Sequence, residues 1–151
     1  MTEQKQQPWS LAGTLQVEIV SAEKQIFSGR AKMVVVCGKE GEVGILPGHT
    51  QLLTMLKPGE IRLVDLDGSE NYYYISGGFL EVQPDVVTVL ADTALRADDV
   101  DEELALEAKS KAEKMLKTAP ADQYTIALAE LAKALAQLKV AKKVQHQAKK
   151  V

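Results

Sequence analysis

A chain of 151 residues, 46% hydrophobic and 26% charged, has room for one ordinary domain or a small domain with an appendage. A formal net charge of −3 argues against any global attraction to nucleic acid or anionic membrane, and a single cysteine, Cys37, rules out an internal disulfide. No run approaches the ~20 consecutive apolar residues of a membrane-spanning helix, and the opening MTEQKQQPWS has neither the apolar core of a secretory signal nor the arginines of a transit peptide.

Residues 1–11 read as a flexible leading segment, with Trp9 either stapled to the next domain or part of a loose tail. Strand grammar begins at LQVEIVS, where Leu15, Val17 and Ile19 alternate with Gln16, Glu18 and Val20. AKMVVVCG is a short β-branched run closed by Gly38.

GKEGEVGILPGHTQ, Gly38 to Gln51, is dense in turn residues. It is not a phosphate loop, because Gly38-Lys39 is followed by Glu40 rather than Ser or Thr, and its glycines miss the G-x-G-x-x-G spacing. Two readings remain: tight turns flanking a short strand, or a stiff docking loop displaying Glu40, Glu42 and His49.

Further on, Ile61, Leu63 and the Tyr72–Ile75 run flank Asp67-Gly68, a type I′ hairpin signal. Two more strands flank Gln83-Pro84-Asp85. Turn signals recur about every 8–12 residues, as in a sandwich or barrel of antiparallel strands. Residues 12–96 therefore read as an antiparallel β-sandwich.

The grammar changes near residue 97. All ten glycines lie between Gly13 and Gly78, and every aromatic except Tyr124 lies at or before Phe79. DDVDEELALEAKSKAEKMLK opens with acids and closes with lysines, the order the helix dipole favours. Asp99 and Glu102 form a candidate capping box, and Ala105, Ala108, Ala112 and Met115 a small-residue seam. Pro120 breaks the helix and Asp122 is the expected N-cap of a second one. In that second helix Tyr124, Leu128, Leu131, Leu135 and Leu138 make a heptad stripe, with Ala129, Ala132 and Ala136 beside it. Residues 97–151 thus read as an antiparallel two-helix hairpin. Alanine-rich helices bury little apolar area and are marginal alone, so this hairpin must lean on the sandwich or on another protein. Such an element suits a switch. Lysines 133, 139, 142, 143, 149 and 150 make its end basic, either as a solvated helix terminus or as a handle for an acidic protein surface.

No catalytic or metal site is expected. His49 and His146 lack companions at ligand spacing, no G-x-S-x-G elbow occurs, and the acids at Asp98–Glu103 suit a helix N-terminus.

VEIVSAEKQIFSG, EGEVGILPGHTQLLTMLKPGEIRLV, YYYISGGFLEVQPDVVTVLADTALR and AELAKALAQLKV, in that order between Leu15 and Val140, resemble the epsilon subunit of bacterial F-type ATP synthase. The resemblance implies an N-terminal sandwich and a C-terminal helix hairpin in a non-catalytic subunit of the rotating central stalk. The sandwich would meet the gamma subunit and the membrane c-ring. The hairpin would rest on the sandwich, or extend along gamma to the alpha/beta hexamer and inhibit ATP hydrolysis. The family's c-ring loop falls on Glu40, Glu42 and His49. Its inhibitory surface falls on Lys109, Lys111, Lys114 and Lys117 and on the second helix, facing an acidic beta-subunit segment. The protein would lie peripherally on the cytoplasmic side of the cell membrane, without a cofactor. The ATP motif of some relatives is incomplete: Asp101 is retained, but Leu104 stands where the motif has arginine, and the second helix has no arginine. The competing reading is a stand-alone β-sandwich binding module.

Overall fold

The computed structural model describes residues 13–149, with side chains described through residue 145. The expectations on residues 1–11 and Trp9, and on the side chains of His146, Lys149 and Lys150, lie outside the described residues.

Among the described residues ten strands come first: β1 Leu15–Ser21, β2 Gln25–Ala31, β3 Met33–Gly38, β4 Gly41–Ile45, β5 Leu52–Leu56, β6 Gly59–Val64, β7 Glu70–Ile75, β8 Gly78–Val82, β9 Val87–Ala91 and β10 Ala94–Arg96. A 3-10 turn, Ala97–Asp99, leads into α1, Glu102–Thr118, and α2, Ala121–Lys149.

The strand order is β10-β7-β6-β3-β5-β8-β9-β1-β2, with β4 paired to β3. β3 and β5 share a single register pair, Gly38↔Leu56. The sheet folds over at this corner, and its two halves bury one core. Val17, Ile19, Val34, Val36, Ile61, Leu63, Ile75, Leu80 and Val89 are fully buried there. At the far ends of the strand order, Arg96 on β10 donates from Nη2 to the Ile26 carbonyl on β2 at 2.7 Å. The alternation in β1 holds: Leu15, Val17 and Ile19 face the core.

The expectation of purely antiparallel pairing is corrected at one place. β1 and β9 run parallel, from Val17↔Val87 to Ser21↔Ala91. Parallel neighbours need a long connection, and seven strands lie between these two in the chain. The Asp67-Gly68 hairpin also differs from a two-residue type I′ turn. Gly68 N donates to the Asp65 carbonyl at 2.9 Å and Asp65 N to the Ser69 carbonyl at 2.8 Å. The loop is therefore Leu66-Asp67-Gly68, with Gly68 at φ +89. Asp67 directs this: its Oδ1 accepts from Ser69 N at 2.9 Å and Ser69 Oγ at 2.7 Å, the Asx geometry.

The helices form the expected hairpin, tied by Gln145 Nε2 donating to Glu102 Oε2 at 2.7 Å. Three local expectations are corrected. The N-cap of α1 is Asp101, whose Oδ1 accepts from Leu104 N at 3.1 Å, because Asp99 is used in the 3-10 turn. Asp122 sits inside the first turn of α2, where its charge suits the dipole. Ala105 and Ala112 on α1, as expected, and Ala127, Ala134 and Ala141 on α2 are buried, each series at a spacing of seven, and of the expected stripe Leu138 is also buried and Leu131 half-buried. Ala108 is exposed, as are Tyr124, Leu128 and Leu135 of the expected heptad stripe, and Ala129 and Ala132 beside it. Alanine suits these positions because a short side chain lets two backbones come close.

Among the described residues, the C-terminal half of α2 covers the sandwich. Ala136 and Val140 pack on Tyr72 and Tyr74 of β7 and on Ala97, with Val144 partly buried beside them. Tyr73 and Ile75 point the other way, into the core.

Candidate docking surfaces

The Gly38–Gln51 stretch folds as a strand between two turns. Gly38 pairs with Gly41 across Lys39 and Glu40. Gly41 takes φ +138, and a Cβ on Gly38 would lie 2.9 Å from the Gly41 carbonyl oxygen, so both positions require glycine. The second turn closes through His49 N donating to the Leu46 carbonyl at 3.1 Å, with Gly48 at φ +85.

Glu40 and Glu42 are exposed together at the first turn. His49 is half-buried at the other end of β4, its Nδ1 2.7 Å from the Thr50 carbonyl oxygen. It lines a groove with Leu15, Gln51, Val82 and Pro84. The length of β4, about 13 Å, separates that groove from Glu42. The two glutamates thus form one feature and the histidine another.

On α1, Lys111, Lys114 and Lys117 are exposed on the side turned away from the alanine seam, while Lys109 is half-buried at its edge. Leu104 is exposed, and Oδ1 of Asp101 is engaged in the helix cap.

The two outer faces of the sandwich differ. One, on β6 and β7, lies under α2. There the Tyr72 hydroxyl donates to Glu70, which also pairs with Arg62 Nη1 at 3.2 Å, and Lys143 Nζ stands 5.4 Å from the Tyr72 ring centre. Burial, reinforced by the bond to Glu70, pushes the Tyr72 hydroxyl pKa up to about 12. The same bond, with help from Arg62, holds the Glu70 carboxyl below its ordinary range.

The other face is open and apolar. Met55 on β5 stands opposite Phe79 on β8, Phe79 opposite Leu90 on β9, and Leu90 opposite Val20 on β1. Met55, Phe79 and Leu90 are 46–50% exposed and the neighbouring Leu53 is 69% exposed. A contiguous apolar row on a sheet face marks an interaction surface. Sequence reasoning missed this row, although a signal existed. LLTML and GFLEV carry apolar residues at both parities, Leu52 and Leu56 with Leu53 and Met55, Leu80 and Val82 with Phe79. A strand with one wet face carries them at one parity only. A second exposed apolar stripe runs along α2 through Tyr124, Leu128 and Leu135.

Among the described residues no three His, Cys, Asp or Glu side chains gather as metal ligands, and no helix is long and apolar enough to cross a membrane.

Comparison with known proteins agrees with this architecture. A cryo-EM structure of the Euglena gracilis mitochondrial ATP synthase (OSCP/F1/c-ring) contains a chain matching at TM-score 0.75 and 21% identity, over 82% of this chain and 79% of that one. A chain in the central stalk/c-ring of the Tetrahymena thermophila mitochondrial ATP synthase matches at TM-score 0.58 and 12% identity, over 84% of this chain and 96% of that one. At these identities the likeness establishes the fold. Residues 14–97 match the beta-sandwich domain of the ATP synthase delta/epsilon chain, and residues 98–142 match its long alpha-helix domain. Sandwich and helices together thus place this chain in the ATP synthase delta/epsilon chain family.

Proposed function

We propose that this chain is a non-catalytic rotor subunit of an F-type ATP synthase, acting in the central stalk between gamma and the c-ring. The observation that carries this reading, given the family, is the open Met55–Phe79–Leu90 row. α2 covers one outer face of the sandwich and leaves the other apolar and free. Gamma would seat on the open face. Glu40 and Glu42, on their stiff hairpin, would meet the polar loops of the c-ring, with His49 as a separate contact. The protein would then lie peripherally, on the cytoplasmic side of a bacterial membrane.

The helices serve as an intrinsic inhibitor of ATP hydrolysis. Their support is the thin alanine seam and the limited seat on the sandwich, beside exposed apolar and lysine-bearing faces. Lys109, Lys111, Lys114 and Lys117 would face the acidic segment of the beta subunit. Nucleotide binding by the hairpin would be weak, with Asp101 engaged in the cap and no arginine at 104.

Co-purification with gamma and the alpha/beta hexamer tests the reading. Phe79→Asp is expected to abolish it without unfolding the sandwich, since Phe79 is already half exposed. Retained assembly by a folded Phe79→Asp would overturn the docking face. Removing residues after Ala97 is expected to raise ATP hydrolysis by the assembled enzyme; unchanged hydrolysis would overturn the inhibitory role.

A further inference from the structure

Glu60 lies on β6 opposite Tyr74 of β7, on the face that α2 covers. Its side chain is only 11% exposed. Oε1 is 4.0 Å from Lys139 Nζ of α2, and Oε2 is buried with no hydrogen-bond partner. Lys139 of α2 pairs with Oε1, the Tyr72 hydroxyl feels the charge, Tyr74 opposite is bonded to Gln137, and nothing donates to Oε2.

Two effects oppose each other here. The pair with Lys139 favours docking of α2, but that lysine is 60% exposed and the separation is long. An exposed pair of this kind shifts an equilibrium by a factor of about five at most. A buried acceptor left without a donor shifts it the other way by a factor of about five to a hundred. The second effect is larger. When α2 lifts off the sheet, Oε2 returns to water and the penalty disappears.

We propose that Glu60 is a release element: it weakens the seat of α2 on the sandwich rather than latching it. Ala136, Val140 and Lys143 hold the helix against Tyr72 and Tyr74, and Glu60 keeps that hold shallow enough to be reversed. This deepens the reading of the helices as a movable inhibitor and rests on it for its biological meaning.

Amide hydrogen exchange on the full-length protein measures the seat, read at residues 133–144 with β9 as internal reference. Glu60→Met keeps the length of the side chain and removes the orphaned carboxylate. It is expected to slow exchange in that half of α2 about tenfold, leaving β9 unchanged. Glu60→Leu, of different shape, is expected to slow it in the same direction. Exchange that is unchanged or faster in both variants would overturn the proposal and make Glu60 neutral or a latch. Because the readout is exchange in the free chain, a failed hydrolysis experiment on the truncated enzyme would leave it standing.

Discussion

A Cβ added to Gly78 would run into the carbonyl oxygen of Leu90 on the adjoining strand. Gly78 also takes φ +142, which side chains rarely adopt, and it pairs with Leu56 on one side and Ala91 on the other. Phe79 and Leu90, the centre of the open apolar row, therefore depend on one residue having no side chain.

Gly78→Ala is expected to destabilise the sandwich by about 3 kcal/mol, the sum of backbone strain and overpacking. Gly68→Ala supplies the comparison. Gly68 also has positive φ, but a Cβ there would meet nothing within 4 Å, so about 1 kcal/mol is expected from strain alone. Urea unfolding of the two variants measures the difference. Equal losses would show that close approach to Leu90 contributes nothing.

Asp101, rather than the Asp99 of the expected capping box, caps α1. Asp101→Ala is expected to cost about 1 kcal/mol and to fray the first turn of the helix. Asp99→Ala is expected to cost less than about 0.5 kcal/mol, as an exposed substitution away from the cap. Helix content and amide protection at Leu104 follow the two changes, and the reverse order would place the cap at Asp99.

Tyr72 gives the helix seat a pH dependence whose sign follows from its neighbours. Its pKa rises to about 12 in the folded chain from an ordinary value of 10.0. Its contribution to stability is therefore complete below pH 10 and lost as pH climbs from 10 to about 12. With solvent reaching the ring, about 1 kcal/mol is expected over that window. Glu70 has the opposite sign. Its lowered pKa stabilises the fold above its ordinary range, and that part is lost as pH falls. Tyr72→Phe removes the bond they share, so it is expected to flatten the stability profile at both ends. Melting curves at pH 4, 7 and 11 test this, and a Phe variant with the original slopes would refute it.

The halves of this protein are legible in its sequence because they rest on local physics. Period-two alternation in LQVEIVS puts Leu15, Val17 and Ile19 on one side of any extended chain, and that side is the buried one. Acids in the first turn and a lysine in the last turn of the 102–118 segment favour a helix whatever it later touches. The turns of Gly38–Gln51 follow from glycine's tolerance of positive φ. What tertiary structure alone decided is which faces meet. Leucines at 128 and 135 carry the stronger apolar signal, yet Ala127, Ala134 and Ala141 are buried, with Leu138, because backbone approach is a property of the pair of helices. The parallel β1–β9 pairing joins strands far apart in the chain, and no local pattern encodes it. The open Met55–Phe79–Leu90 row and the buried Oε2 of Glu60 arise only once α2 has covered one sheet face and left the other bare, and burial on either face depends on which surfaces come together, beyond the composition of any one strand.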